Sequence, residues 1–195
     1  MRRAATCNAG WRRNMSFSMP DWKRSTLGAD ARLQPWLRDS GSLTRRIMLR
    51  SERFSVEIFD EGKMRIAQDD SPVLDIAPGR LAWSRDVFLH ADDRPVVFAH
   101  SACRLTSLNS AWKSLRGLGA RPLGAVLFSH PEVVRLPLHY KVLSKGHPLY
   151  YRATCALNDP PARLWARRSL FYLHREPLLV TEVFLPGILK LRAWY

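Results

Sequence analysis

From residue 54 onward, apolar and polar residues alternate in a way that predicts β-strands. The stretch FSVEIF at 54–59 alternates strictly, and the DEG after it predicts a turn into a returning strand, KMRIAQ. Residues 81–90 and 95–103 flank the turn-forming sequence ADDRP and predict a hairpin. The run 164–186 predicts a closing hairpin across HREP, and the mixture of Val, Leu and Tyr at 134–156 predicts further strands.

Helical spacing is present in two other segments. Residues 33–49 have a helical pattern with a break at DSGS, and Ser42 is placed to cap a short helix that begins at Leu43. Apolar residues in 106–119 recur at helical intervals, and the glycines near its end predict the helix terminus. Helices interspersed with consecutive hairpins predict a single α+β domain, in which helices pack on an antiparallel sheet.

The composition is that of a globular protein with a strong positive charge. The chain has 195 residues, of which 46% are hydrophobic, and its net charge is +14. Residues 1–50 carry 11 Arg or Lys against 3 Asp, so the first quarter contributes +8. Because residues 1–30 lack a period and mix Arg, Ser, Gly and Pro, we expect a flexible basic leader there and a folded domain over 31–195.

Several function classes have no support in the sequence. The three cysteines, Cys7, Cys103 and Cys155, are far apart, which argues against a disulfide framework and favours a reducing cytoplasm. No apolar stretch approaches the roughly 20 residues that a membrane-spanning helix needs. The six histidines form no metal-binding motif, and the sequence has neither a nucleophile elbow nor a phosphate-binding loop.

Two of the predicted strands each place one charged residue on an apolar face. Glu182 and Arg85 are these residues, and an unpaired charge in a core is very costly. Their apolar neighbours on the same face are Leu178, Val180 and Phe184 for the glutamate, and Trp83, Val87 and Leu89 for the arginine. Two interpretations remain open. The two residues form a buried ion pair, or they form a site where arginine binds a carboxylate and glutamate accepts or relays a proton.

Four segments occur in an order that resembles one known family. They are WLRDSGSLTRRI (36–47), WSRDVFLHADDRPVVFAHS (83–101), LGARPLGAVLF (118–128) and LWARRSLFYLHREPLLVTEVFLP (164–186). The last two are long and specific, and they are similar to the motifs L-G-x-x-P-L-G-x-x-L-F and L-W-x-R-R-S…P-L-L-x-T-E-x-F-L-P of the chorismate pyruvate-lyases of ubiquinone biosynthesis. The resemblance covers residues 33–186.

The resemblance implies an enzyme, a lyase that converts chorismate to 4-hydroxybenzoate and pyruvate as the first committed step of ubiquinone biosynthesis. It implies a monomeric, cytoplasmic protein with no metal and no organic cofactor. Its partner would be the small molecule chorismate, with no nucleic acid and no integral membrane segment. The implied fold has an antiparallel sheet of about six strands, with helices packed on it and helical flaps over a buried ligand.

The resemblance also implies site residues. Arg85 and Glu182 would be the catalytic residues, Arg85 holding the ring carboxylate and Glu182 meeting the hydroxyl at the opposite end. Leu123 would offer its backbone N–H to the carboxylate, as free amides at a helix start do for anions. Leu43 would lie in the flap and contact the ligand, at a position where the family is expected to have methionine.

Two other functions fit part of the pattern. One is a non-enzymatic sensor, because the ligand-binding domains of some bacterial transcription regulators are similar in fold to this lyase family. The other is a nucleic-acid-binding protein, because residues 165–172 interleave basic and aromatic side chains as single-strand binders do. An amphipathic edge strand explains that pattern equally well. Residues 1–30, 141–162 and 187–195 depart from the family pattern.

Overall fold

A seven-stranded antiparallel sheet runs through the computed structural model, which describes residues 21–191. The strands are β1 (Phe54–Arg65), β2 (Leu81–Ala91), β3 (Arg94–Cys103), β4 (Val134–Arg135), β5 (His139–Ser144), β6 (Arg163–Leu173) and β7 (Glu176–Phe184). Their order is β1-β2-β3-β7-β6-β4. The strands β4 and β5 pair with different parts of the same edge of β6. The predicted α+β class is confirmed, with one strand more than the six expected.

Short helices cover the sheet. They are α1 (Gln34–Arg38), α2 (Leu43–Met48), α3 (Ser71–Leu74), α4 (Leu123–Ser129) and α5 (Pro148–Thr154), with 3-10 helices at Leu105–Asn109, Lys113–Leu115 and Pro186–Lys190. The predicted break before Leu43 is confirmed, because the Ser42 side chain accepts a hydrogen bond from the backbone N–H of Arg45. Within residues 21–191, no helix is both long and apolar enough to cross a membrane.

Both predicted hairpins, β2–β3 and β6–β7, are present and have tight turns. The turn residues Asp92 and Asp93 have φ angles of 49° and 63°, and His174 and Arg175 have φ angles of 49° and 68°. Two successive positive φ angles match the right-handed twist of the strands that such a turn joins. These turns therefore fix which residues face each other along both hairpins.

The predicted turn at 60–62 is wrong. β1 continues through it and pairs with β2 along its whole length, with a register shift between Ile58 and Asp60. The acidic residues lie within the strand because neighbouring elements supply their partners. Glu61 pairs with Arg85, and Asp60 pairs with Arg152.

Two further helix and strand predictions need correction. Residues 106–119 do not form one helix but contain the two 3-10 helices of that region, although Trp112 and Leu115 are fully buried as their spacing implies. Residues 134–156 contain β4 and β5 as predicted, but they end in α5. Pro148 stands at the start of α5, and the His147 side chain accepts the backbone N–H of Leu149 at 3.2 Å, so both residues favour a helix there.

The predicted leader lies only partly within the described residues. Residues 1–20 are outside them. In the remaining ten, Trp22 is buried with its ring under the Arg168 guanidinium, 4.1 Å away, and Lys23 bridges to Tyr140. The boundary of the folded domain at residue 31 stays a prediction.

The sheet separates two layers of helices, and both faces of its central strands are buried. Successive residues of β2 point to opposite layers: Val87 packs with Leu37 and Ile47 of α1 and α2, whereas Phe88 packs with Tyr150 of α5. We call these the α2 face and the α5 face. Because both faces are covered, charged residues on the central strands must find partners inside the protein.

On the α5 face, buried charges neutralise one another in a network. His100 lies between two carboxylates, with Nε2 2.8 Å from Asp70 and Nδ1 2.5 Å from Asp86. Arg168 donates to Asp70 at 2.7 Å, and Arg152 donates to Asp86 at 2.5 Å. Burial disfavours the charged imidazole, but the ion pairs with Asp70 and Asp86 outweigh it and raise the pKa of His100 to about 10. His100 is therefore a cation at neutral pH.

The substitution His100→Gln should flatten the dependence of stability on pH between 7 and 10. Since the folded pKa of about 10 exceeds the ordinary value of 6.5, the stabilisation is fully present below pH 6.5 and is lost as the pH rises through 10. We expect the variant to be less stable at pH 7 by a few kcal/mol.

Thermal melts at pH 7, 8, 9 and 10 measure this difference. The exposed Glu132, which pairs with His174 at the surface, provides the control Glu132→Gln, which should keep the wild-type slope. Equal slopes of Tm against pH for His100→Gln and the wild type would contradict the assignment of charge.

Candidate active site

All four site residues that the sequence singled out line one cavity on the α2 face. Arg85 and Glu182 rise from the sheet, and Leu43 and Leu123 enter from α2 and α4 above it. Apolar side chains form most of the remaining wall, among them Val56, Val87, Leu89, Leu127, Phe128, Phe171 and Val180. A cavity with apolar walls and a few convergent polar groups is the usual form of a small-molecule site.

Strand register determines how Arg85 and Glu182 face the cavity. Arg85 lies opposite Ser101, whereas Glu182 lies opposite Ala99, two residues before Ser101 on β3. Two strand spacings and one two-residue step separate their Cα atoms by about 12 Å. The structure places no ion pair between them, because each has a different partner. The interpretation as a mutual ion pair is wrong, and the separation leaves room for a small ring.

Two contacts hold the Arg85 side chain, which is only 2% exposed. One guanidinium nitrogen donates to the carboxylate of Glu61, and the other terminal nitrogen donates to the carbonyl of Gly119 at 2.7 Å. Arginine has five N–H donors, so these bonds leave others for a ligand. Arg85 is thus a fixed cation at one end of the cavity.

Arg167 explains why a carboxylate occurs on this apolar strand. It lies opposite Glu182 on β6, and its Nε donates to one oxygen of that carboxylate. Its Nη1 donates to the carbonyls of Trp36 at 2.9 Å and Asp39 at 2.6 Å, at the end of α1. The side chain of Glu182 keeps 15% exposure and lines the cavity. Glu182 is therefore held in place while still open to a ligand.

The helices α2 and α4 form the roof. Pro122 precedes α4 and supplies no side-chain cap, so the helix begins at Leu123 without a side chain on its first amides. Gly124 permits close contact, since a Cβ there would lie 3.1 Å from Thr44 Oγ1 and 3.3 Å from Ser42 Oγ. A larger residue at this position would crowd the start of α2, so Thr44 and Ser42 would have to shift by a few tenths of an ångström.

Sequence reasoning missed two cations of the site, Arg135 and Arg167. The interleaved basic and aromatic residues at 165–172 were attributable to an edge strand, but β6 is paired on both sides, and Arg167 is 1% exposed. The sequence around Arg167 gives no signal of its role without the pairing of β6 to β7. Arg135 lies on β4, and a strand of two residues is too short to show a period.

The match to a family model decides the identification. The model described as chorismate lyase matches residues 17–192, almost the entire chain. The chain belongs to the chorismate lyase family. The resemblance drawn from four motifs is confirmed.

Similar sequences agree with this membership. A protein of Nitrosospira multiformis is 44% identical over 174 residues, which cover 89% of this chain and 97% of that protein. A protein of Aromatoleum aromaticum is 47% identical over 163 residues, covering 83% and 88%. Both are named as probable chorismate pyruvate-lyases.

Solved structures of bacterial proteins have a similar fold. A GntR-family transcriptional regulator from Bacillus cereus has a TM-score of 0.52 at 10% identity, covering 73% of this chain and 98% of that chain. The effector domain of PhnF from Mycobacterium smegmatis has a TM-score of 0.51 at 12% identity, covering 75% and 90%. At such low identity, the likeness shows the fold alone.

The substitution Gly124→Ala should loosen the roof. Alanine favours the helix by about 1 kcal/mol, but crowding against Thr44 and Ser42 costs about 1–3 kcal/mol. We expect hydrogen exchange of the α2 amides to accelerate several-fold, because α4 must move away from α2.

Gly146 provides a matched control, since a Cβ added there meets no atom within 4 Å. Gly146→Ala should leave exchange in α2 at the wild-type rate. Unchanged exchange in Gly124→Ala would show that the roof accommodates a methyl group.

Proposed function

We propose that this protein is a chorismate pyruvate-lyase, which converts chorismate to 4-hydroxybenzoate and pyruvate. The observation that carries the proposal is the cavity that brings Arg85 and Glu182 together in a chain of the chorismate lyase family. The sensor alternative rests on likeness in fold alone. The relatives with more than 40% identity named above are probable lyases, so the enzyme is favoured.

The cavity groups match the two ends of the substrate ring. Arg85 holds the ring carboxylate, with the backbone N–H of Leu123 as a second donor. Glu182 accepts the hydrogen bond of the ring hydroxyl opposite the carboxylate. Leu43 closes the cavity from α2. A ring held at both ends has one orientation in the site.

The reaction is an elimination that makes the ring aromatic. The ring carbon that bears the hydroxyl loses its proton, and the electrons of that C–H bond form the new ring double bond. The ether bond on the neighbouring carbon breaks, and its electron pair leaves with the oxygen as enolpyruvate. Enolpyruvate takes up the proton on carbon and becomes pyruvate. Because aromatisation drives the reaction, the protein contributes mainly orientation and exclusion of water.

We extend the proposal to the setting of the reaction. The product 4-hydroxybenzoate serves ubiquinone biosynthesis, and the protein acts in the cytoplasm as a monomer without metal or organic cofactor. Chorismate is a dianion, so the net charge of +14 favours its encounter with the protein at low ionic strength. The division into a basic leader over residues 1–30 and a domain over 31–195 belongs to this proposal, with Trp22 and Lys23 of the leader in contact with the domain.

Purified protein incubated with chorismate and a chelator should form equal amounts of 4-hydroxybenzoate and pyruvate. In Glu182→Gln, the ratio kcat/KM should fall about 100-fold, because the neutral amide orients the hydroxyl poorly. Chromatography of both products measures the rates.

The control Glu132→Gln removes a surface carboxylate whose side chain is 65% exposed, and it should behave as the wild type. Wild-type protein that forms neither product would overturn the proposed function. A normal rate in Glu182→Gln would overturn only the role of that residue.

The substitution Arg85→Gln should weaken binding of the product as well as of the substrate. Both molecules carry the ring carboxylate, and loss of its charged partner should reduce the affinity for 4-hydroxybenzoate by about 100-fold. Isothermal calorimetry measures this affinity.

The exposed Arg80 supplies the control Arg80→Gln, which should bind 4-hydroxybenzoate normally. Circular dichroism must show that Arg85→Gln is folded, because the change leaves Glu61 without its partner. Undiminished affinity in the folded variant would place the ring carboxylate elsewhere.

A further inference from the structure

Arg135 is a cation in the cavity wall to which the reaction just described gives no task. Within residues 21–191, no carboxylate lies within ion-pair distance of its guanidinium. The other arginine of the cavity wall, Arg85, differs from it because it pairs with Glu61, and Arg167 behind the wall pairs with Glu182. Arg135 therefore carries a charge that the described residues leave without a direct counterion.

Neutral groups hold Arg135 in a fixed position. Its Nε donates to Ser169 Oγ at 3.0 Å, and its Nη1 donates to the carbonyl of Ser40 at 2.7 Å. The guanidinium also stacks on two aromatic rings, 5.7 Å from the centre of Phe128 and 5.2 Å from that of Phe171. These contacts orient the cation without neutralising it, as in a preorganised anion-binding group.

The surroundings make this charge costly when the cavity is empty. Burial lowers the pKa of Arg135, and the more distant carboxylate of Glu182 only partly offsets this effect. An anion that enters the cavity next to Arg135 removes that cost.

The substrate has an anion in the required place. Chorismate carries two carboxylates, one on the ring and one on the enolpyruvyl group. The ether oxygen of that group stands on the ring carbon next to the one that bears the hydroxyl. If Glu182 meets the hydroxyl, the second carboxylate lies toward the same end of the ring. Arg135 is held at that end by Ser169, which stands on β6 two residues from Arg167, the residue opposite Glu182.

We propose that Arg135 binds the enolpyruvyl carboxylate of chorismate, so that the site recognises the substrate by a contact that the product 4-hydroxybenzoate cannot make. This inference rests on the proposed function. As the ether bond breaks, the electron pair moves onto the leaving enolpyruvate, whose negative charge grows beside Arg135. A fixed cation there stabilises the transition state as well as the bound substrate.

The test compares substrate with product, because Arg135 also bonds to the carbonyls of Ser40 and Gly41 below the roof. A purely structural role would affect both ligands equally. In Arg135→Gln we expect kcat/KM for chorismate to fall about 100-fold, while the Kd of 4-hydroxybenzoate changes less than about threefold. Arg135→Lys keeps the charge but loses the planar fork, and it should recover part of the lost rate.

Two further proteins complete the experiment. Arg104→Gln removes an arginine that pairs with Asp75 outside the cavity, and it should leave both ligands unaffected. Arg85→Gln should weaken chorismate and 4-hydroxybenzoate together, since both carry the ring carboxylate. Initial rates give kcat/KM, and calorimetry gives the Kd.

The outcomes separate the two proposals. A parallel loss for chorismate and 4-hydroxybenzoate in Arg135→Gln, or no loss for either, would overturn the role of Arg135 and leave the lyase function intact. A wild type without turnover would overturn the function. In that case calorimetry with unreacted chorismate still tests Arg135, which is supported if Arg135→Gln weakens chorismate alone and rejected otherwise.

Discussion

Two adjacent arginines in the middle of β6 join both helical layers to the sheet. Arg167 points to the α2 face, where it holds Glu182 and the carbonyls at the end of α1. Arg168 points to the α5 face, where it holds Asp70 and the hydroxyl of Thr181. Neither side chain is more than 1% exposed. Such pairs add little net stability when intact, but loss of one partner is costly because the other remains charged and buried.

The two rows of side chains that contain these arginines differ in chemistry. On the α5 face, the row across β2, β3, β7 and β6 is Asp86, His100, Thr181 and Arg168, all polar and all bonded to neighbours. On the α2 face, the adjacent row is Val87, Ala99, Glu182 and Arg167. The first row is a closed internal network. The second row has small and apolar members next to a single held carboxylate, which leaves space for a ligand.

Local pattern was sufficient to predict the parts of this structure that depend on near neighbours. A period of two placed Arg85 and Glu182 among apolar residues, and the cap at Ser42 predicted where α2 begins. The four sequence-predicted residues do share one cavity. That result came from the family resemblance, because no local signal indicates that β2, β7, α2 and α4 meet.

What sequence reasoning missed depends on contacts between distant segments. DEG at 60–62 has the composition of a turn, yet Arg85 and Arg152 pair with its carboxylates within a continuous strand. The partner of Glu182 could be named only after β6 and β7 were aligned, since Arg167 and Arg168 are indistinguishable in sequence. The short strand that carries Arg135 has no period to detect.

The β6–β7 turn determines whether Arg167 or Arg168 lies beside Glu182. Because neighbouring residues of a strand face opposite sides, a slip of one residue would exchange Arg167 and Arg168 between the faces and still give each face an arginine. Charge alone therefore specifies the alignment weakly. The rigid corner at His174 and Arg175 specifies it instead, although positive φ angles are unfavourable for such side chains. Two surface residues at the turn of this hairpin therefore set the strand register that places Arg167, and not Arg168, beside Glu182.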